Sequence, residues 1–99
     1  MSYYAIANYT LLDAERHYGE YSPGAVPIIA KHGGEVLAAG ETEALEEDKL
    51  QPIMVLLKFP SKEACQAFHD DPEYQSFKEI RRNETTTNSS FVGVPSYDG

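Results

Sequence analysis

Two side chains are the main candidates for catalysis, the imidazole of His32 and the guanidinium of Arg81. His32 stands directly before Gly33, at the end of the first helical pattern, where an imidazole can direct a group that titrates near neutral pH into a cleft. Arg81 stands at the end of the second helical pattern, and a guanidinium can bind a carboxylate through two parallel hydrogen bonds. We therefore predict His32 and Arg81 as catalytic residues.

Both residues also have an ordinary structural explanation. The C-terminal end of a helix carries partial negative charge, and cationic side chains are favourable there. This explains His32 equally well, and it explains the basic group Lys78, Arg81 and Arg82 as the end of the second helix. The sequence therefore leaves catalysis and helix stabilisation as alternatives for both positions.

Three more polar residues are candidates for binding a ligand. Asn8 is the polar member of an apolar strand face, Tyr18 lies in the middle of the inner face of the first helix, and Tyr74 lies on the inner face of the second. Because buried polar groups need partners, we predict that these three residues line a pocket between helices and sheet. The predicted topology puts Asn8 and Arg81 at one edge of the domain and His32 at the opposite edge. One site is therefore not expected to use all of them.

Metal and nucleotide sites have little support in the sequence. The run from His69 to Glu73 looks like a metal-binding cluster, but a helix that restarts at Asp71, with Asp71 as its N-cap, explains the run more simply. The histidines lack the spacing that metal sites use, so we expect no metal. Cys65 lies in a buried helical stripe, which raises the pKa of a thiol and argues against a nucleophile. No glycine-rich phosphate loop follows a strand, so we expect no cofactor.

The charge balance excludes several classes of partner. The 99 residues include 8 basic and 16 acidic side chains, a formal charge of -8, which repels nucleic acid and anionic membranes. The run from Glu41 to Asp48, where five of eight residues are acidic, is typical of a solvated loop. The longest aliphatic run, Ile53 to Leu57, is too short to span a bilayer. The single cysteine and the lack of a signal-peptide pattern predict a cytoplasmic location.

The hydrophobic periodicity predicts the elements that must position these residues. Apolar runs and alternation predict four strands, and helical spacing predicts two helices, each interrupted once by a capping residue followed by proline. The predicted strands are Tyr3 to Tyr9, Glu35 to Gly40, Pro52 to Phe59 and Phe91 to Val94, and the predicted helices run from the cap Asp13 to His32 and from the cap Ser61 to Arg82. The polar residues 83–90 predict a turn.

The order of these elements predicts a ferredoxin-like α+β fold. Strand, helix, strand, strand, helix and strand form a four-stranded antiparallel sheet with both helices on one face. The third predicted strand is apolar on both faces, so both faces need cover. We therefore expect the face without helices to pack against the same face of a second copy, in a homodimer with a barrel-like core. Residues 1–95 form the one predicted domain, and residues 96–99 form a tail.

Several blocks of the sequence resemble a known family. The stretch from Tyr21 to Gly34, the block from Phe59 to Ala64 and the block from Pro72 to Gln75 are similar to the domain-of-unknown-function family numbered 1330. The resemblance runs over nearly the whole chain and implies a dimeric α+β barrel. Ile53 and His69 stand where members often carry an arginine and a tyrosine, so a site built on that arginine is not implied here. The family's activity is undefined, and the resemblance therefore implies the fold more than the function.

Two functions from different classes remain open. The leading hypothesis is a small homodimeric barrel that binds a small organic molecule in a tyrosine-lined pocket, with cofactor-independent acid–base or monooxygenase-type chemistry. The alternative is a non-catalytic interaction or structural module whose dimer face is its main functional surface. The sequence does not decide whether the protein is an enzyme.

Overall fold

Four strands and two helical regions follow one another in the order that the sequence predicts. The structure is a computed structural model that describes residues 2–46 and 49–97. The strands are β1 (Tyr3–Leu11), β2 (Glu35–Glu41), β3 (Ile53–Phe59) and β4 (Thr86–Pro95). The helical regions are α1 (Ala14–Arg16), a first π-helical turn (His17–Tyr21) and α2 (Ser22–Lys31), then α3 (Lys62–Asp70), α4 (Gln75–Glu79) and a second π-helical turn (Ile80–Thr85). Glu47 and Asp48 of the predicted acidic loop and residues 98–99 of the predicted tail lie outside the described residues.

The strands form one antiparallel sheet in the order β2-β3-β1-β4. The central strand β1 pairs Ala5 with Leu57 of β3 on one side and with Gly93 of β4 on the other. This is the strand order of a ferredoxin-like fold, so the predicted fold class is confirmed. Because side chains alternate along a strand, Ala5 and its partners face the helices, and Ile6 and Leu56 face away from them.

Two helices begin where the capping residues predict, whereas α4 begins at Gln75 and not directly after the predicted cap Asp71, whose side chain accepts from the N–H of Glu73. The side chain of Asp13 accepts a hydrogen bond from the backbone N–H of Arg16, and the Ser61 hydroxyl accepts one from the N–H of Ala64. The predicted interruption at Ser22 takes another form. Instead of ending, the helix widens into the first π-helical turn and continues as α2, which has no side-chain cap.

The last strand starts earlier than the sequence analysis predicts. Residues 86–90, predicted as part of a turn, belong to β4, and that part of the prediction is wrong. Threonine fits a pleated strand well, and Thr86 and Thr87 pair with Leu11 and Thr10 of β1. An extra residue at this point makes a β-bulge, in which Asn88 has a φ of 53°. Asparagine tolerates this left-handed conformation better than most residues.

The hydrophobic core lies between the helices and one face of the sheet. It contains Phe59 from β3, Ile28 and Ile29 from α2, and Phe68 from α3. Gly24 allows α2 and α4 to approach closely, because a Cβ atom there would lie 2.1 Å from the ring of Phe77. A larger residue at this position would push the two helices apart.

In the part of the chain that the structure describes, the other face of the sheet carries no helix. Its apolar side chains are called here the open face, and they are Tyr4, Ile6, Met54, Leu56, Val92 and Val94. Val92 is 55% exposed and Val94 is 47% exposed. The domain is correspondingly flat, with principal extents of 37 × 36 × 17 Å. A contiguous apolar surface of this kind is typical of an interaction site.

Candidate functional site

A cavity of about 270 Å³ lies between α2, the π-helical turns and the sheet. Its walls are mainly apolar, with Ala7 and Val55 from the sheet and Ala25 and Ile29 from α2. The space exists because alanines occupy facing positions on β1 and α2, where larger side chains would fill the core. Its volume is that of about nine water molecules in the liquid, near the small end of ligand pockets. It can hold one small organic molecule.

A chain of three buried hydrogen-bonding side chains begins at one wall of the cavity, which Tyr9 and His17 line. The Tyr9 hydroxyl lies 3.2 Å from Nε2 of His17, and Nδ1 of His17 lies 2.9 Å from the hydroxyl oxygen of Thr85. That Thr85 hydroxyl donates to the carbonyl of Ile80 at 3.1 Å, so it accepts from His17. The network therefore assigns the proton of a neutral His17 to Nδ1 and leaves Nε2 to accept the Tyr9 proton.

The surroundings keep both members of this pair uncharged near neutral pH. Burial lowers the pKa of His17, and the nearby Arg81 guanidinium lowers it further. Burial also raises the pKa of Tyr9 to about 12. A neutral imidazole that accepts from a phenol is the arrangement of a general base, and the pair can move a proton between the cavity and His17.

A pair of tyrosine hydroxyls also borders the cavity. The hydroxyls of Tyr21 and Tyr74 lie 2.7 Å apart, and burial raises the pKa of Tyr21 well above its ordinary value. The ring of Tyr21 stacks on His17 with centroids 4.8 Å apart, and the ring of Tyr74 packs on Phe68 at 4.3 Å. The pair therefore adds hydrogen-bonding groups to the cavity without adding charge.

Arg81 brings the one strong charge of the lining residues. The side chain is 3% exposed, and one of its terminal nitrogens donates to the Ser89 hydroxyl at 2.5 Å. Among residues 2–46 and 49–97, no carboxylate lies within ion-pair distance of its guanidinium. The extra residue of the β-bulge at Asn88 reverses the alternation of side chains along β4, so that Ser89 and Thr86 both face the helices. Arg81 therefore lies beside the cavity with its side chain anchored at one nitrogen.

The structure brings together three of the five predicted site residues. Tyr74 and Arg81 line the cavity, and so does Tyr18, although it is 54% exposed and not buried on the inner helix face. The Tyr18 ring contacts His17 edge-on, with centroids 5.4 Å apart. Tyr18 thus lies where the cavity meets the solvent.

The other two predicted residues lie away from the cavity. His32 is at the far end of α2, where Nε2 lies 2.7 Å from a carboxylate oxygen of Asp71. The sequence analysis placed Asn8 in a pocket under the helices, and this is corrected by the alternation of β1, because Ala7 and Tyr9 face the helices and Asn8 does not. The Asn8 amide instead donates to the carbonyls of Gln51 and Ile53. Asn8 thereby fixes the start of β3.

Sequence analysis missed Tyr9 and His17, although a signal for each was present. Tyr9 continues the alternation of Ala5 and Ala7 on the helix-facing side of β1. His17 is four residues before Tyr21 and so shares its helix face.

The described residues contain neither a metal-binding cluster nor a membrane-spanning helix. Across residues 2–46 and 49–97, no group of three or more histidine, cysteine, aspartate or glutamate side chains is placed to hold a metal ion. In the same part of the chain, no helix is long and apolar enough to cross a membrane.

Comparisons with solved structures find the same fold in several proteins of low sequence identity. A protein of unknown function from Rhodopseudomonas palustris has a TM-score of 0.77 at 15% identity, with 99% of this chain and 84% of that chain covered. SnoaB, a cofactor-independent oxygenase from Streptomyces nogalater, has a TM-score of 0.69 at 9% identity, with 99% and 95% covered. A dabb family protein with a ferredoxin-like fold from Mesorhizobium loti has a TM-score of 0.66 at 13% identity, with 98% of each chain covered.

The family assignment comes from the sequence itself. A search of curated proteins found no match. The family model described as domain of unknown function, DUF1330, matches residues 2–94, which confirms the resemblance seen in the sequence. The chain belongs to the DUF1330 family and has a ferredoxin-like fold.

Proposed function

We propose that this protein binds a small, mainly apolar organic molecule in the cavity between its helices and sheet. The observation that carries the proposal is the combination of apolar walls with a few converging polar groups, which is the usual composition of a ligand site. Tyr9, Tyr21, Tyr74 and Arg81 supply those groups.

The chemistry that the cavity supports is proton transfer without a cofactor. A neutral His17 can take a proton that Tyr9 relays from a weakly acidic group of the ligand, and Tyr9 can return it. The similarity of fold to SnoaB, described as a cofactor-independent oxygenase, supports monooxygenase-type chemistry as an extension of this proposal. The proton-transfer step rests on the residues of this chain.

Ligand binding can be tested by filling the cavity. Ala25→Leu adds a larger apolar side chain to the cavity wall, and Ala30→Leu makes the same change on the exposed side of α2. A thermal-shift panel of small acids, quinones and polyketide-like aromatics should raise the Tm of the wild type and of Ala30→Leu. A ligand at a hundredfold excess over its Kd stabilises by about 2.7 kcal/mol. If the panel raises the Tm of Ala25→Leu by the same amount, the compounds bind outside the cavity.

We also propose that two copies associate through their open faces. The support is the row of exposed apolar side chains on one side of a flat, two-layer domain, a surface that two copies can cover symmetrically. Light scattering should give twice the chain mass for the wild type. Leu56→Asp, in the middle of the open face, should give the mass of one chain, and Leu45→Asp, at an exposed site outside it, should not. A monomeric wild type would refute this association.

The same exposed face favours a second candidate function, a non-catalytic interaction module. In that case the open face is the functional surface, and the cavity is a packing defect. A dimer whose Tm no member of the panel changes would favour this candidate. Cys65, which is buried and forms no disulfide, supports the cytoplasmic location that we propose for either function.

A further inference from the structure

We propose that the cavity selects small carboxylates, which Arg81 recognises through its guanidinium. This inference rests on the proposed ligand binding and specifies its substrate class. Its starting point is a buried cation that has no carboxylate partner among the described residues. Removing a charge from water is costly, and folded chains usually offset the cost with a paired acid.

Carboxylates in the described residues pair with two surface cations and not with the buried Arg81. Arg16 bonds to Glu20 and Glu84, and Lys31 bonds to Asp71 and Glu73, although both cations lie at the surface. The chain has 16 acidic and 8 basic residues, so acids are not scarce. Yet no described carboxylate contacts Arg81, the buried cation that lines the cavity. The partner that its charge requires can come from a ligand.

The guanidinium is held in place with most of its donors available. It has five N–H groups, and the Ser89 hydroxyl takes one of them. The Thr86 hydroxyl donates to the Arg81 backbone carbonyl, which fixes the end of the second π-helical turn. Every fully enclosed side-chain nitrogen in the described residues has a hydrogen-bond partner. The donors of Arg81 that have no partner are therefore not fully enclosed, and Arg81 lines the cavity.

The surroundings favour a carboxylate over a neutral ligand. Tyr9, His17 and Tyr21 lie close enough for the Arg81 charge to act on them, and all three are neutral near pH 7. The cavity therefore presents one positive charge among apolar and neutral groups. A planar carboxylate matches the guanidinium fork, and an apolar ring or chain matches the remaining walls.

Matched ligands test this inference. Benzoate with benzamide, 2-naphthoate with 2-naphthamide, and cinnamate with cinnamamide differ in charge but hardly in size. By isothermal titration, the wild type should bind at least one acid about tenfold or more tightly than its amide, as charge-assisted hydrogen bonds imply. Arg81→Gln should lose this preference. Arg82→Gln, which removes the same charge from the exposed neighbouring position, should keep it.

The outcomes separate this inference from the proposed function. Equal binding of acid and amide, or a preference that survives in Arg81→Gln, would overturn the carboxylate assignment and leave ligand binding intact. Binding of none of the six compounds would count against both. A second test needs no ligand, because a buried cation without a carboxylate partner lowers the stability of the ligand-free protein. The Tm of ligand-free Arg81→Met should equal or exceed that of Arg82→Met, and a clearly lower value would mark Arg81 as a structural residue.

Discussion

Two polar clusters, each built around a histidine, stand at opposite ends of the helical layer and differ in how their charges are satisfied. The brace consists of Lys31, His32, Asp71 and Glu73, and the cavity cluster consists of Tyr9, His17, Arg81 and Thr85. In the brace, the buried carboxylate of Asp71 accepts from Lys31 at 2.9 Å, from His32 at 2.7 Å and from the backbone N–H of Glu73 at 2.9 Å. In the cavity cluster, the polar groups form a neutral chain beside a cation that has no carboxylate partner within residues 2–46 and 49–97.

The difference separates a structural role from a functional one. The brace joins the end of α2 to the segment between α3 and α4, and the chain itself supplies every partner. The cavity cluster borders open space and leaves the donors of Arg81 without an acid from the described part of the chain. A catalytic role for His32 stays a prediction, since its contacts in the structure are those of a brace.

The largest expected effect on stability is at the brace. Asp71→Ala removes three hydrogen bonds to one nearly buried side chain and leaves Lys31 and His32 facing each other without a carboxylate. We expect its Tm to fall several times as far as that of Asp70→Ala, the matched change at an exposed neighbour that bonds only to Gln66 and approaches His69. Folded Asp71→Ala should keep its affinity for cavity ligands. An Asp71→Ala variant that loses affinity for cavity ligands but keeps its Tm would mean that the brace serves ligand binding and not stability.

The next effect is at the histidine of the cavity cluster. His17→Leu leaves the buried Tyr9 hydroxyl without its acceptor, which costs about 1–3 kcal/mol of unfolding free energy, measured by urea denaturation. It should also abolish proton transfer to a bound ligand. His32→Leu is the comparison, because Asp71 keeps two of its three partners in that variant. We expect His32→Leu to leave ligand affinity unchanged, and an equal loss of affinity in both variants would contradict the comparison.

The two clusters should also respond to acid in different pH ranges. The pKa of His17 is lowered in the folded state, so the unfolded chain takes up a proton first as pH falls below about 6.5. Its contribution to stability is therefore lost between its ordinary pKa and the lower folded value. Each such proton changes the unfolding free energy by up to about 1.4 kcal/mol per pH unit.

Asp71 responds at lower pH, because its bonds to His32 and Lys31 lower its pKa from an ordinary value of 3.8. The stability that it contributes is present above that value and is lost as pH falls through the folded pKa.

Because the pKa of His17 is lowered in the folded state, urea denaturation between pH 5 and 7 should show a smaller pH slope in His17→Leu than in the wild type. Burial lowers the pKa of His69 as well, so part of the slope should remain. An unchanged slope would mean that His17 takes up its proton at the same pH in the folded and unfolded states.

The smallest effect should be at the paired phenols. Tyr21→Phe and Tyr74→Phe each remove one partner of a single hydrogen bond, at a cost of about 0.5–1.5 kcal/mol. In a double-mutant cycle, the combined loss of stability should be smaller than the sum of the two single losses, because either change alone already breaks the hydrogen bond. Additive effects would mean that the hydroxyls do not bond to each other in solution.

The fold was more accessible to sequence reasoning than the site. Local signals suffice for the strands and for the caps at Asp13 and Ser61, because they depend on neighbours in the chain. The early start of β4 was missed, since Thr86 and Thr87 look like turn residues until their pairing with β1 is known.

The site depends on contacts between distant residues. His17 and Thr85 are 68 positions apart, and no spacing rule connects them. The same holds for His32 and Asp71, which are 39 positions apart. The sequence singled out His32 and Arg81 for their chemistry. The fold separates them, because it gives the histidine a carboxylate partner, whereas no acid from the described residues pairs with the arginine.

The most direct test of the account is a crystal structure of the wild-type protein with bound 2-naphthoate. We expect the ring in the cavity between α2 and the sheet, with the carboxylate within hydrogen-bonding distance of the Arg81 guanidinium. A naphthoate bound on the open face, or in the cavity with its carboxylate turned away from Arg81, would contradict the assignment of this cavity as a carboxylate site.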